Sequence, residues 1–268
     1  MIEHHRVKPG SKLRLRRIDA GATPGWTGGR RKTAKALENL SQRLHEQQDL
    51  LWAEHRRRVL VVLQGMDTSG KDGTITHVFE GVNPLGVKVT AWKAPSQEEL
   101  DHDFLWRIHP KVPGAGEMSI FNRSHYEAVL VERVKKLVPA KAWKARYAQI
   151  RDFERLLAET GTTVLKFFLH IDRDEQRQRL KQRLADPEKR WKLSLSDLDD
   201  RQRWDDFMAA YEEAIRRTST DLAPWFVVPA NKKWYRNLVV ASVLVQALEG
   251  MHLRYRQPAL DLSQIAIE

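Results

Sequence analysis

A run of five apolar residues, Val59-Leu-Val-Val-Leu63, leads almost directly into Gly65-Met-Asp-Thr-Ser-Gly70-Lys71. The run is too short for a buried helix and is apolar on both faces, which predicts a strand inside a parallel sheet. Glycines at 65 and 70 permit a tight backbone path, and a helix is predicted over 71–81. Strand, G-x-x-x-x-G-K loop and helix in this order form a phosphate-gripping P-loop. Successive backbone N–H groups and the helix N-terminus face an anionic pocket, and Lys71 supplies a full positive charge. The alternative, an ordinary glycine-containing strand-to-helix turn, does not require the lysine.

The rest of the chain alternates in the way such a unit demands. Strands are predicted at Val87 to Trp92, Met118 to Phe121, Thr163 to Ile171 and Trp225 to Pro229. Helices are predicted over about Lys32 to Arg57, Gln97 to His109, Ser124 to Leu137, Trp143 to Glu159, Glu175 to Leu184, Asp197 to Arg217 and Trp234 to Met251. Strands separated by helices predict an α/β fold: a parallel sheet with helices on both faces, hence three α/β/α layers. Residues 10–19 alternate charge and apolarity, which suits a short edge strand or a basic arm ended by Gly25 to Gly29. No linker divides the chain, so one domain is expected over 1–268, with the arm and first helix spanning 1–57.

Composition narrows the partners. There is no cysteine, which excludes disulfides, thiolate metal sites and cysteine nucleophiles. The start lacks an apolar h-region, and the stretch Leu238 to Leu248 is shorter than the roughly 18 residues a membrane span needs. A cytoplasmic protein without a membrane partner is expected. Lys and Arg number 46 against 35 Asp and Glu, leaving +11. Such a field attracts polyanions: nucleic acid, anionic membrane or a chain of phosphates. No recognised nucleic-acid module is present, so nucleic acid is not expected as a partner.

Two carboxylates set this P-loop apart. The position after the lysine, where Ser or Thr would bind Mg²⁺, is Asp72, and Asp67 lies inside the loop. A carboxylate beside a phosphate is repulsive unless a divalent cation lies between them. Asp67 is therefore a candidate metal ligand or base. Asp72 reads either as a second ligand or as a charge favoured by the helix dipole. The expected phosphate contacts are Gly65, Thr68, Ser69, Gly70, Lys71, Asp72, Gly73 and Thr74.

After the strand at Met118 comes Asn122-Arg123-Ser124-His125-Tyr126-Glu127. Ligands of doubly wound sheets sit at the carboxyl ends of strands, so this segment should meet the P-loop. Arg123 suits a clamp on an anionic transition state. Asn122, Arg123, Tyr126 and Glu127 are the expected nucleotide contacts, with Glu127 a second candidate metal ligand or a helix-start charge. His125 reads as a structural histidine. Asp186-Pro-Glu-Lys189-Arg190-Trp191-Lys192 lies between two helices and reads as a mobile lid over about 184–206, or as a polar connection. The strand Trp225 to Pro229 runs into the basic turn Asn231-Lys232-Lys233, either a base-binding element or a cap of the last helix.

Taken in order, GMDTSGKDGT, HVFEGVNPLGV, IFNRSHYE, DPEKRWK and APWFVVPANKKW resemble the polyphosphate kinase 2 family over nearly the whole chain. The resemblance implies a P-loop kinase-like fold with a helical lid, and Mg²⁺-dependent (or Mn²⁺-dependent) transfer of phosphate between inorganic polyphosphate and adenine or guanine nucleotides. It implies a metal or base role for Asp67, phosphate roles for Lys71 and Arg123, and lid roles for Lys189, Arg190 and Lys192. Better-known branches read F-D-R-S-W-Y-N where this chain has Phe121-Asn-Arg-Ser-His-Tyr-Glu127. That segment is similar to the branch accepting AMP as well as ADP; Asn122 in place of Asp moves the metal role onto Asp67, and Glu127 in place of Asn is connected with AMP use. The family tendency and the long helices lead to the expectation of a homo-oligomer. An ATP-dependent kinase of thymidylate-kinase type and a nucleic-acid-binding protein are the alternatives.

Overall fold

The apolar run at 59–63 becomes the middle of β2 (Arg58–Gln64), whose residues from Val59 onward are all buried. In the computed structural model, which describes residues 1–257, β2 lies between β4 (Met118–Asn122) and β5 (Thr162–His170), both parallel to it. β3 (Val87–Ala91) continues the sheet beyond β4, and β6 (Trp225–Pro229) beyond β5, again in parallel. The two-residue β1 (Arg6–Val7) closes the far side antiparallel to β6, giving the order β1-β6-β5-β2-β4-β3 among the described residues. Chain progression reverses direction at β2, and that reversal opens the crevice in which such folds bind ligands.

Helices cover both faces. α1 (Gly29–Glu54), α2 (Lys71–Val78) and α9 (Lys233–Glu249) pack together on one. α4 (Val131–Val134), α5 (Ala140–Glu159) and α8 (Trp204–Thr218) pack together on the other. α6 (Arg173–Ala185) and α7 (Leu195–Gln202) flank the segment from Asp186 to Ser194, read from the sequence as a lid or a polar connection. α9 is apolar almost all round, with buried residues from Tyr235 to Leu248, because it lies between α1 and the sheet. This is the expected three-layer α/β/α arrangement. Among the described residues no helix is long and apolar enough to cross a membrane.

Several predicted elements differ. Residues 10–19 form no strand: Leu15 is buried, its N–H donates to Glu212 Oε2 (2.9 Å), and Arg14 pairs with Glu212 at 2.8 Å. The edge strand is Arg6–Val7 instead. The helix predicted over Gln97 to His109 is only α3 (Gln97–Leu100), started by a Ser96–Glu99 capping box. It stops because Asp103 Oδ1 accepts from Leu105 N–H (2.8 Å), a local side-chain bond that competes with the helix. The helix predicted over Ser124 to Leu137 is a 3-10 turn, His125–Val129, followed by α4. The long helix predicted from Asp197 divides at Arg203 into α7 and α8.

Candidate active site

β2 and β4 run level, with Leu63 opposite Asn122, so the loops leaving their carboxyl ends meet. Arg123 N–H donates to Leu63 O (3.0 Å), stitching the two exits together. From β2 the chain enters the loop through Gly65 and Gly70, both at positive φ (+151° and +101°). Lys71 is buried at the start of α2, and its ammonium donates to Gly65 O (2.8 Å) and Met66 O (3.2 Å). Burial lowers the Lys71 pKa, and the Asp67 carboxylate opposes that shift. Lys71 thus folds back across the mouth of the loop that it serves.

Asp67 Oδ1 accepts from Arg123 Nη2 at 2.7 Å. Arg123 also lies 3.7 Å from Glu127 Oε2, one turn further along. Glu127 Oε1 in turn accepts from Gln64 Nε2 (3.0 Å) at the tip of β2. The Glu127 and Asp67 carboxylates raise the Arg123 pKa, so its guanidinium is permanently charged. Removal from water raises the Glu127 pKa, with Arg123 and Gln64 opposing. Asp67, Arg123 and Glu127 are therefore one chain of alternating charge beside Lys71.

Asp72 makes a third link. Asn122 Nδ2 donates to its Oδ1 (2.7 Å), and Lys192 Nζ lies 3.3 Å from its Oδ2. Burial works against this carboxylate, but the Asn122 and Lys192 bonds outweigh it and hold the Asp72 pKa below its ordinary value. Of the three lid cations, Lys192 alone touches the loop. Lys189 pairs with Asp186, and Arg190 Nε donates to Leu184 O (2.8 Å), closing the end of α6.

Tyr126 is not brought to this crevice. Arg123 takes a left-handed backbone (φ +64°), and after it the chain turns His125 and Tyr126 into the core. Tyr126 Oη donates to Glu154 Oε1 (2.8 Å), and Lys166 Nζ lies 3.0 Å from Tyr126 Oη. Lys166 also pairs with Glu154 at 2.5 Å and donates to Thr218 O (2.8 Å). His125 Nε2 approaches Glu154 Oε1, the oxygen that Tyr126 also bonds, at 3.3 Å, in keeping with its structural reading. Thr74 is buried as well, its hydroxyl donating to Gly70 O (3.0 Å), while Thr68 Oγ1 and Ser69 Oγ are buried without a partner among the described residues. Gly73 follows in the first turn of α2.

Sequence reasoning passed over Gln64, Gln176, Arg179 and Arg236. Gln64 had a signal, being the polar end of an apolar strand. Asn231 does not cap the last helix, which has no side-chain cap; it ties to Asp172 at the start of α6, its Oδ1 accepting from Asp172 N–H (3.3 Å) and its Nδ2 donating to Asp172 Oδ2 (2.5 Å).

Residues 29–256 match the family model for polyphosphate kinase 2 (PPK2). The chain is 54% identical over 267 residues to an AMP/ADP-polyphosphate phosphotransferase of Meiothermus ruber, covering 100% of both chains. It is 43% identical over 231 residues to an ADP-polyphosphate phosphotransferase of Rhodopseudomonas palustris, covering 82% of this chain and 80% of that one. The crystal structure of polyphosphate kinase 2 from Arthrobacter aurescens TC1 superposes with a TM-score of 0.93 at 46% identity, over 97% of this chain and 93% of that one. Matched along most of its length by the family model and along its whole length by a relative 54% identical to it, the chain belongs to the polyphosphate kinase 2 family.

Proposed function

We propose that this chain transfers the terminal phosphoryl group of inorganic polyphosphate to AMP and to ADP. The observation that carries the reading is the meeting of Lys71, the Asp67–Arg123 pair and the lid's Lys192 at one end of the sheet. The similarity to the Meiothermus ruber AMP/ADP enzyme along the whole chain supports the choice of donor and acceptors.

In the reaction a phosphate oxygen of AMP or ADP attacks the terminal phosphorus of polyphosphate. The P–O bond to the penultimate phosphate breaks, and a polyphosphate one unit shorter leaves. The attacking oxygen is already ionised, so no strong base is required. Positioning and charge neutralisation provide the catalysis. Lys71 and the loop amides hold the transferring group, Arg123 bears on its developing charge, and Lys192 brings the lid over it. Lys189 and Arg190 line the approach for the rest of the polyphosphate.

The donor set suits a hard cation such as Mg²⁺ or Mn²⁺. Asp67 and Glu127 offer carboxylate oxygens, and no cluster of three ligating side chains exists among the described residues. Mg²⁺ is ordinarily held by one or two carboxylates with phosphate oxygens completing its shell. Asp67 and Glu127 would hold the ion, which neutralises phosphate charge when bound. The unpartnered hydroxyls of Thr68 and Ser69 support phosphate contacts in the loop.

We further read residues 1–268 as one functional unit with its lid over about 184–206, acting in the cytoplasm as a homo-oligomer, with no nucleic-acid partner. The test is incubation with Mg²⁺, AMP or ADP and long-chain polyphosphate in the absence of ATP. ADP and ATP formation is expected, and Lys71→Ala is expected to abolish it. Phosphorylation only when ATP is supplied would replace the reading with an ATP-dependent kinase.

A further inference from the structure

Behind the phosphate loop, two arginines from different helices converge on one carbonyl. Arg179 of α6 donates from Nη1 to Thr68 O (2.8 Å) and Ser69 O (3.2 Å). Its Nη2 donates to Ala230 O (2.7 Å) and Asn231 O (3.0 Å) in the turn before α9. Arg236 of α9 donates from Nη1 to the same Ser69 O (3.4 Å), while Asn237 Oδ1 accepts from its Nε (3.1 Å) and Nη2 (2.9 Å). Gln176 Nε2 donates to Asp67 O (3.1 Å). The loop is thus held by its carbonyls, from the rear.

The geometry of a peptide unit makes this consequential. In a trans peptide the C=O and the following N–H point in opposite directions. With Ser69 O drawn toward Arg179 and Arg236, the Gly70 N–H of that unit points away from them. The next amides, of Lys71 and Asp72, are first-turn donors that no helical carbonyl reaches. The two guanidiniums therefore fix the direction in which the loop presents its first free donors. Gly70 takes a φ of +101° that favours glycine, and a Cβ there would lie 1.8 Å from Arg236 Nη1 and displace that guanidinium.

Arg236 is also electrically unusual. It is 2% exposed, and no carboxylate lies within ion-pair distance of it among the described residues. Arg179 has Glu175 at 2.7 Å; Arg236 has only neutral acceptors. Burial, with Arg179 adding to it, pulls the Arg236 pKa down to about 9. A buried cation without a counter-charge is costly unless an anion is brought to it.

Building on the phosphoryl-transfer reading above, we propose that Arg236 is a positioning residue of the phosphate loop. With Arg179 it holds the Ser69 carbonyl so that the Gly70 amide faces the phosphoryl group, and its unpaired charge strengthens the loop's hold on polyphosphate.

The test uses full-length Arg236→Met, Arg236→Lys and Asn237→Ala, with inorganic tripolyphosphate as a calorimetric probe and ATP formation from ADP and polyphosphate as the rate. Arg236→Met is expected to weaken tripolyphosphate binding about tenfold and to lower kcat about a hundredfold. Arg236→Lys keeps the charge and loses the fork, so it is expected to recover binding and not kcat. Asn237→Ala frees the guanidinium without removing it and is expected to lower kcat more than binding, which decides the matter should Arg236→Met not fold. Unchanged binding and kcat in a folded Arg236→Met, or an unchanged kcat in Asn237→Ala, would overturn the proposal. Wild-type protein that binds tripolyphosphate and forms no ATP would instead overturn the reaction, and the binding comparison would still judge Arg236.

Discussion

Arg123 Nη2 and Asp67 Oδ1, carried by the exits of two neighbouring strands, meet at 2.7 Å beside Lys71. The contact fixes Arg123 and occupies one oxygen of Asp67. Asp67→Asn keeps the shape and removes the charge that Arg123 uses and that the proposed metal ion would use. We expect kcat to fall about a hundredfold and the Mg²⁺ concentration for half-maximal rate to rise. A Mg²⁺ titration of ATP formation checks this, and an unshifted midpoint would remove Asp67 from the metal site.

Glu127 is fixed by Gln64 and faces Arg123, so its carboxylate lies beside the cation proposed to bear on substrate phosphate. Glu127→Asn is expected to lower kcat/KM for AMP about tenfold relative to ADP, the loss of one interaction to a charged group. Parallel assays with the two nucleotides measure the ratio. An unchanged ratio would disconnect Glu127 from acceptor choice.

Tyr126 belongs to the core rather than to the substrate. Tyr126→Phe removes its bond to Glu154 and its contact with Lys166 Nζ, leaving both charged groups buried. A cost of about 1–3 kcal/mol is expected in urea denaturation, with KM for AMP and ADP unchanged. A raised nucleotide KM at wild-type stability would return Tyr126 to the binding site.

His5 ties the N-terminal arm to β6 and α9: its Nδ1 donates to Val227 O (3.0 Å), and its Nε2 lies 2.8 Å from Tyr235 Oη. Burial lowers its pKa from 6.5 to about 4. Between these values the unfolded chain binds the proton and the folded chain does not, so stability falls as pH drops from 6.5 toward 4. The group accounts for about 3 kcal/mol over that interval. Melting temperatures from pH 7 to 4 should fall more steeply for wild type than for His5→Gln. Parallel curves would show that His5 does not drive the loss.

The sequence made the phosphate loop and the inner strands legible because both are local signals. Val59–Leu63 and Thr163–Ile171 read as strands since burial on two faces requires unbroken apolar runs. Residues 97–109 misled because the side chain of Asp103, bonding the Leu105 N–H, competes locally with the helix that the sequence predicts. Arg179 was invisible among the arginines of α6, because a cation that grips backbone carbonyls cannot be told from a solvated one without the loop it touches. Tyr126 was misplaced because adjacency in sequence to Arg123 says nothing of direction once the backbone between them turns.

That turn has a consequence for how such enzymes diversify. With Arg123 left-handed and Ser124 extended, Asn122, Arg123 and Glu127 lie toward the crevice, while His125 and Tyr126 are anchored inside on Glu154. Replacing an outer residue alters what is recognised; replacing an inner one alters whether the segment forms at all. If Asn122 and Glu127 contact the acceptor as proposed, its choice can drift by single substitutions at 122 and 127 while the inner anchor on Glu154 stays intact.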